Sequence, residues 1–232
     1  MMLSLVIPCF NEALNLPLLL PHCAELARKC PAEVILVDNG STDDTAAVLD
    51  RLVPLHPGCR SIRVEKNQGY GFGILEGLRA SRGTVLSWTH ADMQTNPLDA
   101  ATGFALFERE GPELFVKGRR RGRPASDQFF TLGMSVFESL LLGCLLWDIN
   151  AQPTMFSRRF FETWVSPPHD FSLDLYAYYE ARKAALPVRR FPAVFARRAH
   201  GVSHWNINWA AKWKFIKRTV SFSLALRKRL EE

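Results

Sequence analysis

The stretch EVILVDNGSTDDTAAVLDRLV, residues 33–53, decides the fold. Its first six residues are mostly branched and apolar, end on Asp38, and suit a short buried strand. Asn39 and Gly40 follow as turn residues. Ser41, Thr42, Asp43 and Asp44 then suit a helix start: their oxygens accept from its free N–H groups, and the acids favour its dipole. This is a strand–turn–helix unit, and the flanking sequence repeats it. LSLVIP (3–8) reads as a strand and 12–29 as a helix. SIRVEK (61–66), GILEGLRAS (73–81) and GTVLSWT (83–89) read as strand, helix and strand. Such alternation implies a parallel sheet with helices on both faces, which binds ligands beyond the carboxyl ends of its strands. Three polar clusters fall there: PCFNE (8–12), DNGSTD (38–43) and HADMQ (90–94).

The bulk numbers agree with one globular catalytic or binding domain. At 232 residues with 47% hydrophobic and 22% charged side chains, the chain can bury a sizeable core. Its net charge of +6 favours an anionic partner. Cys9, Cys23, Cys30, Cys59 and Cys144 form no CxxC pair, which fits a reducing compartment rather than a disulfide scaffold or a zinc site. The apolar N-terminus lacks the basic region and cleavage site of a signal peptide, so a cytoplasmic protein is expected.

The second half is less regular. VKGRRRGRPASD (116–127) reads as a basic loop. Residues 128–147 carry a single charge, Glu138, and are long enough to span a bilayer. A mid-span carboxylate costs about 2.5–3.5 kcal/mol there, so a buried or membrane-lying helix pair is expected instead. PVRRFPAVFARR (187–198) reads as a basic strand. In the tail, Trp205, Trp209, Trp213, Ile216 and Val220 recur at helical spacing beside Lys212, Lys217 and Arg218. Helices of that kind lie in the interface of anionic membranes, and also pack as amphipathic helices on their own sheet. The expected division is a catalytic domain over 1–204 and a basic amphipathic helix over 205–232.

Several side chains carry candidate chemistry. Asp38 ends a buried strand and can accept from a base or ribose hydroxyl; helix capping explains it equally well. His90, Asp92 and Gln94 share one side of an extended segment and suit Mg²⁺ or Mn²⁺, or else form a turn with a solvated His. NQGYGFGILEG (67–77) follows the third strand and lacks the GxGxxG spacing, so it is no dinucleotide fingerprint; its glycines let backbone approach a ligand. The arginines of KGRRRGR and FARRAHGVSH can clamp a diphosphate or form a solvated surface. No nucleic-acid motif accompanies the charge.

Taken in order, VIPCFNEALNL, VILVDNGSTDDT, NQGYGFGILEGLRASRG, HADMQTNP, VKGRR, LLLGCLLWDINAQPTMFSR and RRAHGVSH resemble family 2 glycosyltransferases, especially their polyprenyl-phosphate sugar transferase branch. The resemblance covers residues 3 to 204. It implies an α/β nucleotide-sugar-binding fold of the glycosyltransferase A type, with apolar or amphipathic C-terminal helices. It also implies an inverting, metal-dependent transfer from a nucleotide sugar to a polyprenyl phosphate on the cytoplasmic face of a membrane. Carried over by position, Pro8, Phe10, Glu12, Asp38 and Ala91 hold the donor nucleoside. Asp92, Gln94 and His90 bind Mn²⁺ or Mg²⁺, and Arg120, Arg198 and Ser203 contact phosphate. His90 departs from the family's Asp, and DINAQPTMFSR departs from its D-x-x-S-G-F-R. A lipid phosphate needs no protein base; a sugar hydroxyl of a cell-surface glycan or glycolipid needs one, for which Asp174 and Asp170 are the candidates. A third reading is a non-catalytic nucleotide-sugar-binding relic.

Overall fold

The computed structural model describes residues 1–122, 125–201, 217 and 219–227, the side chains of 125–127 and 130 excepted. The strands are β1 (Leu3–Cys9), β2 (Ala32–Asn39), β3 (Cys59–Val64), β4 (Val85–Trp88), β5 (Phe115–Arg121), β6 (Thr154–Ser157) and β7 (Val188–Val194). They form one sheet in the order β3-β2-β1-β4-β6-β5-β7. β1, β2, β3 and β4 are mutually parallel, β6 runs antiparallel to β4 and β5, and β7 is parallel to β5. The order reverses at β1, between β2 and β4, which opens a crevice at the carboxyl ends there.

The helices are α1 (Leu16–Lys29), α2 (Thr45–Leu52), α3 (Tyr70–Ala80), α4 (Asp99–Glu110), α5 (Ala125–Leu142), α6 (Arg158–Glu162) and α7 (Leu173–Lys183), and 219–227 is helical. Alternation along β1 divides the core. Leu3, Leu5 and Ile7 pack with Leu16, Leu19, Phe104 and Phe107 from α1 and α4. Val6 packs on the other face with Ile74 and Leu78 of α3 and Tyr176 of α7. Both faces are therefore covered by helices, as the strand–helix alternation required.

Three sequence expectations shift. The first helix begins at Leu16 rather than residue 12, because Asn11 takes a positive φ of 58° and the Glu12 carboxylate holds Asn15 Nδ2. The basic loop at 116–127 begins as strand: β5 runs through Arg121, its first residues buried between β6 and β7. Residues 128–147 do not form one long helix; α5 ends at Leu142 and Gly143 turns the chain with a φ of 65°. Among the described residues no helix is long and apolar enough to cross a membrane. The 205–232 helix lies mostly outside the described residues.

Candidate active site

A cleft of about 730 Å³ opens at the carboxyl ends of β1, β2 and β4, between the loops that follow them and α5 and α7. Pro8, Phe10 and Glu12 line one side, and His90, Ala91, Asp92 and Gln94 line the floor after β4. Arg120 and Arg198 line it as well, and so do Asp170 and Asp174 from the start of α7. Side chains as far apart in sequence as Pro8 and Arg198, 190 positions, thus share one concave surface.

Asp92 is buried. Its Oδ1 accepts from Gln94 N at 3.0 Å, and its Oδ2 pairs with Arg198 Nη2 at 2.9 Å. The segment is a turn, not the extended run that alternation suggested: Met93 has a φ of 60°, and the Asp92 side chain closes on the backbone two residues on. Gln94 directs its side-chain Nε2 to Ala196 O at 3.4 Å, and its backbone carbonyl accepts from Ala196 N at 2.8 Å, which ties this turn to the arginine segment. Burial lifts the Glu12 carboxyl above its ordinary range; the Asn15 amide pulls it back, Asp92 lifts it further, and Arg198 opposes that.

His90 does not stand alone over the site. Its ring stacks on Tyr70 at 5.4 Å, and Tyr70 stacks on Phe171 at 4.4 Å. Tyr70 was not singled out in the sequence. Burial pushes its phenol well above the usual value, and the carboxylates of Asp174 and Asp92 add to the push. The Trp88 indole beside the hydroxyl opposes that rise, and the buried phenol stays protonated beneath the cleft. The glycine-rich loop places it. Gly69 has a φ of 115°, and a Cβ there would lie 2.3 Å from His169 O. The loop lets the 168–170 backbone approach closely, with Phe72 N bonded to His169 O at 2.9 Å, while Asn67, Gly69 and Tyr70 line the cleft.

Asp174 is buried at the start of α7. Its Oδ1 accepts from Gln152 Nε2 at 2.8 Å and lies 3.7 Å from Lys117 Nζ, which itself donates to Thr154 Oγ1 at 2.6 Å. Lys117 is fully buried on β5, and burial lowers its amine to about 8, although Asp174 works against that. Asp170 bonds Ser172 N at 2.8 Å, a turn into α7. Arg120 lies along the cleft but is held: its Nε reaches Asp148 Oδ1 at 2.8 Å, and its Nη2 contacts the same oxygen. That pairing holds the Asp148 carboxyl below the ordinary range against the effect of burial.

Asp38 sits at the end of β2 yet is not on the cleft surface; its neighbour Asn39 is. Its Oδ1 accepts from Ser41 N at 3.0 Å, its Oδ2 lies 3.6 Å from Arg63 Nε, and the latter oxygen has no hydrogen-bond partner. Ser203 lies outside the described residues. Glu138 closes the far side of the cleft from α5, with both its oxygens unpartnered.

Among the described residues no three His, Cys, Asp or Glu side chains converge to hold a metal ion. The donor set of Asp92 carboxylate, Gln94 amide and His90 imidazole supplies too few ligands to enclose a cation. It fits one whose coordination is completed by ligand oxygens, the usual way Mg²⁺ is bound beside substrate phosphates. Asp92 and Arg198, paired at 2.9 Å, offer one group that suits a cation and one that suits an anion.

The family model described as "Glycosyl transferase family 2" matches residues 4–182. An undecaprenyl-phosphate 4-deoxy-4-formamido-L-arabinose transferase of Pseudomonas paraeruginosa is 37% identical over 102 residues, 41% of this chain and 29% of that one. A dodecaprenyl-phosphate galacturonate synthase of Rhizobium johnstonii is 31% identical over 121 residues, 51% of this chain and 36% of that one. The matches therefore span about a third of the length of these relatives. The fold is that of glucosyl-3-phosphoglycerate synthase from Mycobacterium tuberculosis, solved with Mn²⁺, UDP and glucosyl-3-phosphoglycerate. The TM-score is 0.72 at 19% identity, over 97% of this chain and 79% of that one. A mannosyltransferase of Pyrobaculum calidifontis, solved with GDP-Man and Mn²⁺, superposes with a TM-score of 0.63 at 19% identity, over 86% and 58%. The family match runs from β1 to the end of α7 and takes in both Asp92 and Asp174; the chain belongs to glycosyl transferase family 2.

Proposed function

We propose that the protein is an inverting glycosyltransferase that moves a sugar from a nucleotide-sugar donor to a polyprenyl phosphate, with Asp92 the residue that would hold Mn²⁺ or Mg²⁺. The observation that carries this reading is the Asp92–Arg198 pair on the cleft floor. A cation–diphosphate unit presents one charge of each sign. It can exchange for that pair without leaving either residue uncompensated, Arg198 taking a phosphate oxygen and Asp92 facing the cation. The lipid-phosphate names of the relatives support the acceptor class.

In this mechanism Pro8, Phe10, Glu12 and Asn39 form the nucleoside end of the cleft, with Asp38 holding the 38–41 turn from beneath. A divalent cation held by Asp92 would neutralise charge developing on the leaving diphosphate. Arg198 aligns the diphosphate, and the His90–Tyr70–Phe171 stack walls the sugar-side space. A phosphate acceptor is already an anion at neutral pH, so attack needs no protein base. Asp174 on the cleft wall supports a second reading, transfer to a sugar hydroxyl with Asp174 as base.

The acceptor class bears on α5. Phe129, Leu132, Val136 and Leu140 recur along one outward stripe, 78% and 80% exposed at its ends, and Leu145 and Trp147 extend it. With the basic tail, this stripe supports docking on the cytoplasmic face of an anionic membrane. One experiment tests both parts: pure protein, a panel of nucleotide sugars and Mn²⁺, and anionic vesicles with or without polyprenyl phosphate. Released nucleoside diphosphate and glycolipid, with co-sedimentation that salt weakens, are expected. Nucleotide release that ignores polyprenyl phosphate, or protein that never sediments at low salt, overturns the corresponding part.

His90 gives a narrower expectation. An imidazole nitrogen in place of a carboxylate favours Mn²⁺ over Mg²⁺. His90→Asp is expected to raise activity with Mg²⁺ relative to Mn²⁺ by about tenfold, and His90→Ala to weaken Mn²⁺ use. An unchanged Mn²⁺/Mg²⁺ ratio in both variants assigns His90 to the Tyr70 stack alone.

A further inference from the structure

α5 has two unlike faces. Its outward stripe is apolar, whereas Ser135, Glu138 and Leu142 turn inward and are buried. Glu138 is fully buried and carries the only charge of residues 128–147. Both its oxygens face the interior without a hydrogen-bond partner, and the side chain lines the cleft with Thr131, Met134 and Ile149. A carboxylate in that setting is costly, since an ionised group without partners loses its hydration for nothing.

The surroundings explain which form the group takes. The Ser223 hydroxyl stands beside it from the 219–227 helix, but Ser223 Oγ gives its one proton to Thr219 O at 2.9 Å. Ser135 on the same face accepts from Asp148 N at 3.1 Å. The cleft's other carboxylates, Glu12, Asp92, Asp170 and Asp174, do not shift Glu138, nor do Arg120, Arg197 or Arg198. Burial alone drives the rise, to about 7, with Ser223 opposing it.

We propose that Glu138 is the acceptor-recognising group of the cleft: protonated, it donates a hydrogen bond to a phosphate oxygen of the acceptor, and ionised, it repels that phosphate. This rests on the lipid-phosphate reading above. A neutral acid is the one form of this side chain that a phosphate can approach, because an O–H to an anionic oxygen is a short, strong bond and a second anion is not tolerated nearby. The position agrees with the direction of delivery. The exposed apolar stripe and the cleft-lining Glu138 lie on opposite faces of the same helix, so a surface against that stripe brings a lipid phosphate beside the cleft. Binding then requires Glu138 to keep its proton. Above its titration point the protein must take up one proton for each acceptor bound, so the acceptor KM climbs with pH while the donor KM does not.

Steady-state rates at saturating donor test this, with polyprenyl phosphate varied between pH 6 and 8.5 for wild type, Glu138→Gln and Glu138→Leu. The wild-type acceptor KM is expected to rise about fivefold from pH 7 to pH 8, and to approach tenfold per pH unit only above that. Glu138→Gln keeps a neutral donor and should show only the shallow change due to the acceptor's own titration. Glu138→Leu removes the donor and should raise the KM about tenfold at pH 6.5, with kcat near wild type. Parallel pH profiles in wild type and Glu138→Gln overturn the proposal. A hundredfold loss of kcat in Glu138→Gln at unchanged KM also overturns it and makes Glu138 a base. Should Glu138→Leu not fold, Glu138→Gln decides alone. Absence of any wild-type transfer to polyprenyl phosphate removes the acceptor reading itself, and the Glu138 assignment with it.

Discussion

Asp92→Asn is expected to lower kcat by about 10²–10³-fold and to leave the fold intact. The residue is 4% exposed, and its carboxylate is committed to Arg198 and to the Gln94 amide rather than to the core. An Asn retains the bond from Gln94 N, so the turn at 92–94 survives. What disappears is the negative charge that holds the cation against the donor diphosphate. Arg198 is part-exposed, so water takes up its charge when the partner is lost, and the stability change should stay under about 1 kcal/mol. Donor affinity through Arg198 should persist while turnover collapses. Single-turnover kinetics beside thermal unfolding separate the two effects. Turnover within a factor of three of wild type would remove Asp92 from the reaction.

The second large effect falls on stability. Asp174→Asn should destabilise the protein by about 3–5 kcal/mol, because it leaves the buried Lys117 ammonium without its counter-charge. Gln152 and Thr154 still have a side-chain oxygen to meet, so the loss isolates the charge. Lys117→Met in the same background should recover most of it, since an apolar side chain fits between the Phe115 and Tyr178 rings that flank the amine. The pH dependence has a definite sign. The folded amine titrates near 8 and the unfolded one near 10.5, so between those values the unfolded chain holds a proton the folded chain lacks. Wild-type stability from this group therefore rises with pH across that window, by about 3 kcal/mol in all, and Lys117→Met abolishes the rise. Urea unfolding at pH 7.5 and pH 10 measures it. Equal stability of Asp174→Asn and wild type would show that Lys117 does not depend on Asp174.

The same variant reports on the acceptor. Assayed at a temperature where it is folded, Asp174→Asn should keep kcat within about tenfold if the nucleophile is a phosphate. A further loss of 10²–10⁴-fold would favour the sugar-hydroxyl reading, with Asp174 as its base.

Much of this architecture was legible in residues 33–53 and their repeats. Short branched runs separated by polar turns and amphipathic stretches leave a parallel sheet as the one way to bury every apolar face. That argument located the crevice, and it placed Asp92, Glu12 and the loop after β2 at its edge. It failed where local pattern was overridden by long-range pairing. KGRR reads as a basic loop, yet β5 passes through it because β6 and β7 satisfy its backbone on both sides. Residues 90–94 read as extended, yet the Asp92 side chain caps its own turn.

Chain periodicity and residue type alone determined the sheet, its helical layers and the carboxyl-end clusters, because burial of apolar surface depends on period and not on partner identity. Pairings across the chain were decided only in three dimensions. Arg198 on Asp92, Lys117 beneath Asp174, Arg120 on Asp148 and Tyr70 under His90 join residues 20 to 106 positions apart. The charge state of a buried group follows from those neighbours. Lys117 looks unremarkable as a letter and Glu138 stands out only as a lone charge, and only removal from water, which a folded core imposes and a sequence does not record, makes the one release its proton more readily and the other less readily.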